Sequence, residues 1–121
     1  MTPDEVIKKL KAQGVNITRR TLFNWEEAEL IPKAKRGSYG QGGGKWADYP
    51  DETVSEALTA YVLKDIHKLK DSEIAKAKKS FTEGKQTVYG AMYGIYLKMF
   101  NNQYPLEEVL ETALVNRDNL F

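Results

Sequence analysis

The chain has no cysteine, a single histidine, and no apolar run long enough to cross a membrane. Without cysteine there is no disulfide, no thiolate metal ligand and no cysteine nucleophile. One histidine alone supplies a transition-metal site poorly, so no metal and no cofactor is expected. No stretch approaches the roughly 20 apolar residues of a membrane helix. The N-terminus lacks the apolar core of a signal peptide, and a cytoplasmic protein without a membrane partner is expected. The glycine run Gly42-Gly43-Gly44 has neither a GxGxxG nor a Walker pattern, which argues against a phosphate-cradling nucleotide loop. No Ser/His or carboxylate constellation sits in a supporting motif, so no enzyme is expected. Charge of one sign is also lacking: the net charge is +1 over 121 residues.

The composition that remains is an ordinary globular mixture, 41% hydrophobic and 29% charged, enough for a modest core. The distribution of charge says more than its sum. Residues 1–46 carry nine Lys/Arg against five Asp/Glu, and the remainder carries nine against twelve. A basic front on an acidic back suits a contact region joined to a different kind of module.

Thr2-Pro3-Asp4-Glu5 is a strong helix start: Thr2 caps, Pro3 fits the first helical position, and Glu5 completes a capping box. Val6, Ile7 and Leu10 share a face, and Gly14 is a natural stop, giving a helix from about Pro3 to Gln13. Thr18 is the expected N-cap of a second helix ending near Glu29, with Leu22, Trp25 and Phe23 on its apolar side and Pro32 barring continuation. Two short helices across so brief a turn make a helix-turn-helix unit. Lys33 to Lys45, rich in glycine and closed by Trp46 and Tyr49, reads as a two-stranded wing with a mobile tip. Helical spacing then runs from Pro50 to about Lys70, from Asp71 to Gly84, from Gln86 to Asn101, and onward from Pro105.

Arg19 and Arg20 occupy the first turn of the second helix, where the helix dipole makes positive charge mildly unfavourable. In a helix-turn-helix this turn meets base edges in the major groove. Arginine there can bond guanine, and Thr18, Thr21 and Asn24 can reach bases or phosphates. Lys33, Lys35, Arg36 and Lys45, with Ser38 and Tyr39 near the wing tip, are expected on flanking phosphates. The plainer alternative is solvated arginines on a surface helix followed by a solvated basic loop. Trp25, Trp46 and Tyr49 are expected to be anchors rather than base-stacking groups. His67 is expected at the surface, and the acidic clusters Glu26-Glu27-Glu29 and Glu107-Glu108-Glu111 are expected to be solvated helix faces.

In the helix 86–101, Tyr89, Tyr93, Tyr96 and Phe100 lie along one side and Met92, Ile95 and Met99 along another. Gly90 and Gly94 cost helix stability, so a close backbone approach is their expected reason. A helix apolar nearly all round must be buried. The expectation is a homodimer interface through Tyr89, Met92, Tyr93, Tyr96, Met99 and Phe100; the alternative is a cap folded over the third helix of the same chain.

The segment ITRRTLFNWEEAELIP resembles the recognition-helix stretch of the MerR family, with Arg20, Thr21, Leu22, Trp25, Glu26, Leu30, Ile31 and Pro32 at matching positions. Tyr49 to Val54 resembles that family's junction from wing to third helix, and the similar part covers roughly residues 1–80. Phe23 and Asn24 stand where the family usually has Arg and Tyr, Glu29 where it has Gly, and Ala47 where a wing Arg is common. The family's dimerising coiled coil is missing. The resemblance implies a mainly α winged helix-turn-helix with a two-stranded wing plus C-terminal helices: a DNA-binding domain over 1–83 and a helical dimerisation region over 84–121. It implies sequence-specific binding of double-stranded DNA by a homodimer, as in a bacterial, plasmid or phage transcription regulator. The alternatives are an architectural or packaging protein, since excisionases and small terminase subunits use similar domains, or a helical protein-interaction adaptor.

Overall fold

A computed structural model describes residues 1–120, the last of them by its backbone alone. The chain is mainly α, with six helices and one two-stranded antiparallel sheet among the described residues. Helix α1 (Pro3–Ala12) starts at the capping box expected for it: the Glu5 amide donates to Thr2 Oγ1 and the Thr2 amide donates to Glu5 Oε1, both at 3.2 Å. Helix α2 (Arg19–Glu27) is capped by Thr18, whose Oγ1 accepts from the Thr21 amide at 3.2 Å. It ends through Glu29, a non-glycine residue at φ 64°, after which the Leu30 amide bonds back to the Trp25 carbonyl at 2.9 Å.

Strands β1 (Lys35–Ser38) and β2 (Lys45–Asp48) pair with Arg36 opposite Ala47 and Gly37 opposite Trp46. The connecting turn passes through Gly40 at φ 92° and Gly42 at φ 82°, angles that residues with a side chain rarely adopt. Helix α3 (Thr53–Asp65) is shorter than its apolar spacing suggests. Lys68 takes a left-handed φ of 57° and folds the chain back, so Leu69 is buried from a loop rather than from a helical turn. Helices α4 (Asp71–Thr82), α5 (Val88–Asn101) and α6 (Leu106–Leu120) follow.

Helix α5 is the centre of the packing, against α3, α4 and α6. Gly90 and Gly94 serve the close approach expected of them, and the partner is α4 of the same chain. A Cβ at Gly94 would lie 2.6 Å from the Phe81 ring, and one at Gly90 would lie 3.0 Å from Ser80 Cβ. Glu56 on α3, buried, joins these helices by a 2.6 Å ion pair to Lys78 on α4 and by accepting from the Tyr93 hydroxyl on α5 at 3.4 Å. Burial and the Glu56 carboxylate push the Tyr93 phenol well above its usual pKa. One apolar cluster runs from Val6 to Ala113 and crosses residue 83, the boundary expected from the sequence, without a break.

Candidate nucleic-acid interface

Helix α2 buries Leu22, Trp25 and Glu26 and turns the rest of its circumference outward. Arg19, Arg20, Phe23, Asn24 and Glu27 are exposed on that arc, and Thr21 is half-buried beside its cap. Arg20 forms no ion pair among the described residues. Arg19 does: its Nε and Nη2 donate to the two oxygens of Asp4 at 2.9 and 2.8 Å, which ties α2 to α1 and fixes the guanidinium plane. That hydrogen bonding holds the Asp4 carboxyl below its usual pKa. The expectation of two equivalent arginines reading bases therefore divides. Arg20 is free to reach outward, whereas Arg19 is already held by a carboxylate.

The hairpin is fastened to α2 by one buried carboxylate. Glu26, expected to be solvated, is 6% exposed. It accepts from Arg36 Nη1 and Nη2 at 2.6 and 2.7 Å, from the Tyr49 hydroxyl at 2.6 Å and from the Ala34 amide at 3.1 Å. Four donors on two oxygens favour the ionised form. The Arg36 bonds contribute most, and the carboxyl is lowered to a pKa of about 2. Burial first, and then the Glu26 charge, raise the Tyr49 phenol above its usual range. Tyr49 is the buried anchor expected, and its amide also donates to the Met1 carbonyl at 2.6 Å. Arg36 was expected on phosphate. Its guanidinium is instead engaged by Glu26 and lies 5.8 Å over the Phe23 ring, so its first task is to hold β1 against α2.

Of the other expected phosphate contacts, Lys33, Lys35, Ser38, Tyr39 and Lys45 are all exposed, as is Thr18. None of the three lysines forms an ion pair among the described residues. Arg19 and Phe23 of α2 line one cleft of about 450 Å³ together with Arg36, Tyr39, Lys45 and Trp46 of the hairpin. The exposed arc of α2 and the hairpin thus share a surface. Trp25 is in the core as expected, but Trp46 is 37% exposed and Phe23 is 39% exposed. Sequence reasoning gave Phe23 to the apolar side of α2 and Trp46 to an anchor. For Trp46 the signal that was available is the Gly42-Gly43-Gly44-Lys45 run before it, too small and too polar to cover a large ring.

The expected dimer seam lies largely inside the chain. Met92, Tyr93, Tyr96 and Phe100 are each 6% exposed or less, and Tyr89 and Met99 are half-buried. Tyr93 meets Phe81 at a ring separation of 5.9 Å. The Tyr96 oxygen meets His67 Nε2 at 2.7 Å and accepts from Asn116 Nδ2 at 3.1 Å. These contacts use the expected dimer residues within the chain: α5 packs against α3, α4 and α6, with Val88 and Ile95 left exposed. They also correct His67, which is half-buried and stacked on Tyr96 rather than free at the surface.

No helix of the described residues is long and apolar enough to cross a membrane. Comparison with protein-family models, with curated proteins and with solved structures finds no match to this chain.

Proposed function

We propose that this protein binds double-stranded DNA as a MerR-like winged helix-turn-helix, with α2 as the reading helix and the β1–β2 hairpin as the wing. One observation carries the reading: the exposed arc of α2, with Arg20 and Asn24, is coupled through the Glu26–Arg36 pair to a hairpin bearing unpaired Lys35 and Lys45. A helix entering the major groove leaves flanking phosphates within reach of a basic hairpin held beside it. Arg20 and Asn24 would address base edges, while Lys33, Lys35 and Lys45 would hold phosphates. Glu27, exposed on the same arc, would disfavour phosphate and can accept from a cytosine amino group. Regulation of transcription is the role this surface suits best.

An architectural or packaging role is the second reading. It is favoured by the use of the apolar side of α5 within the chain, which removes the seam that would have imposed an inverted-repeat target. Selection from a random duplex pool separates the two. An enriched sequence that is lost in Arg20→Ala supports the regulator. Binding without any enriched sequence supports the architectural role. No binding at any salt concentration overturns both.

A further inference from the structure

Of the four large aromatic side chains exposed among the described residues, three line one cleft between α2 and the hairpin: Phe23 at 39%, Trp46 at 37% and Tyr39 at 75% exposure. Trp46 is held in place by what Gly37 lacks. The indole lies across that glycine, and a Cβ there would stand 2.4 Å from Cζ2 and 2.6 Å from Cε2. The ring is thus braced from one side by backbone and remains open to solvent on another. Phe23 also lines the cleft, with the Arg36 guanidinium 5.8 Å from its ring centroid. Lys45, without an ion-pair partner among the described residues, stands at the same cleft. At about 450 Å³ the space falls in the range of small-ligand clefts, roughly 300–1,000 Å³.

We propose that this cleft binds an unpaired nucleotide of a DNA strand, with Trp46 stacking on the base and Lys45 meeting its phosphate. The inference deepens the DNA-binding reading and rests on it. In an intact duplex both faces of every base are covered by its neighbours, so an aromatic platform has nothing to stack on. A base at a bulge, an overhang or a melted step offers a free face, and base–aromatic stacking tolerates any of the four bases. The unpaired Lys45 distinguishes this occupant from an apolar peptide, which would gain nothing from it.

The test compares three probes of one sequence at fixed salt: a fully paired duplex, the same duplex with one unpaired adenosine, and the single strand. Affinity is read by fluorescence anisotropy and stacking by tryptophan quenching. Trp25 is buried, so quenching reports on Trp46, and in Trp46→Leu the remaining Trp25 emission reports folding. The unpaired adenosine is expected to tighten binding about five- to a hundredfold and to quench emission. Trp46→Leu is expected to lose both effects, and Trp46→Phe to recover part of the preference. Equal affinity for paired and bulged duplex, or a preference that survives Trp46→Leu, overturns the inference and leaves duplex binding standing. Quenched binding of the bulged and single-stranded probes without duplex binding upholds the inference and removes the duplex reading. Absence of binding to all three overturns both.

Discussion

Glu26 and Arg36 meet through two parallel hydrogen bonds of 2.6 and 2.7 Å, and this pair joins the hairpin to α2. The two residues differ in their surroundings. The Glu26 side chain is 8% exposed and that of Arg36 is 49% exposed, so the carboxylate is fixed inside while solvent still reaches the cation. A buried carboxylate deprived of its partner would be costly. Here Tyr49 and Ala34 supply two more donors, which is why the charge is tolerated.

The pH dependence of stability follows from that carboxylate. Its pKa is about 2 in the folded chain against an ordinary 4.5. A lowered pKa means that the unfolded chain binds the proton more readily. The contribution is therefore complete above pH 4.5 and is lost as the pH falls through about 2. After screening at the half-exposed Arg36 it amounts to about 2 kcal/mol. Urea unfolding of Glu26→Gln at pH 7 should show a loss of about that size, and the gap to the parent chain should narrow at pH 3. A gap that is the same at both values would show that the charge of Glu26 contributes nothing.

Glu29 gives a second prediction, of opposite sign. At φ 64° its side chain costs roughly 1–2 kcal/mol relative to an ordinary helical residue. Glycine relieves that strain but loses about 0.5–1 kcal/mol of chain entropy on folding. Glu29 forms no ion pair among the described residues, so nothing else is given up. Glu29→Gly should raise stability by about 0.5 kcal/mol, visible as a higher urea midpoint at unchanged slope. A lowered midpoint would contradict the strain argument.

Local signals in the sequence were legible because their physics is local. Thr2 and Thr18 cap the helices they precede, and the glycines between Ser38 and Lys45 bring the chain round the hairpin turn. What was illegible depended on partners distant along the chain. Glu26 looks solvated beside Glu27 and Glu29, because its donors come from Ala34, Arg36 and Tyr49. The end of α3 was hidden for a different reason: Leu69 is buried by the reversal at Lys68 yet falls at a helical interval. The apolar residues on two sides of α5 state that most of the helix is covered but cannot state by which chain.

His67 bears on behaviour near neutral pH. Burial, and then the charge of Arg117, lower its pKa below the ordinary 6.5. Its Nδ1 is buried without a hydrogen-bond partner, so protonation would place charge where no acceptor waits. A lowered histidine pKa gives stability that is present above pH 6.5 and declines as the pH falls below it. The chain has one histidine, so a proton NMR titration follows a single ring without assignment ambiguity. Its midpoint should lie below 6.5, and a midpoint above 6.5 would mean that the ring is solvated or paired with a carboxylate.

The covered circumference of α5 bears on mass in solution. With Met92, Tyr93, Tyr96 and Phe100 used within the chain, sedimentation at micromolar concentration is expected to give 13.8 kDa, one chain. A doubled mass would restore the homodimer, but through other residues. Val88, Ile95, Leu114 and Val115 are the large apolar side chains exposed on α5 and α6 among the described residues, and the ones to substitute first.

If the protein binds DNA as proposed, Arg20 and the hairpin lysines should differ in how their loss alters that binding, and the difference tests the division of roles on this surface. A base contact fails against particular sequences, while a phosphate contact fails against all of them. Arg20→Ala should weaken binding to a selected site by about 1–3 kcal/mol and relax preference at one or two positions. Lys35→Ala and Lys45→Ala should each weaken selected and unselected duplexes alike. Each should also reduce the slope of log affinity against log salt by about 1. Arg19→Ala should behave unlike either, because its guanidinium is held by Asp4. Its loss should release the contact between α1 and α2 and leave the salt slope nearly unchanged. If Arg19→Ala reduced the slope as much as a lysine variant, the Asp4 pair would have to open on binding, and Arg19 would belong with the phosphate contacts.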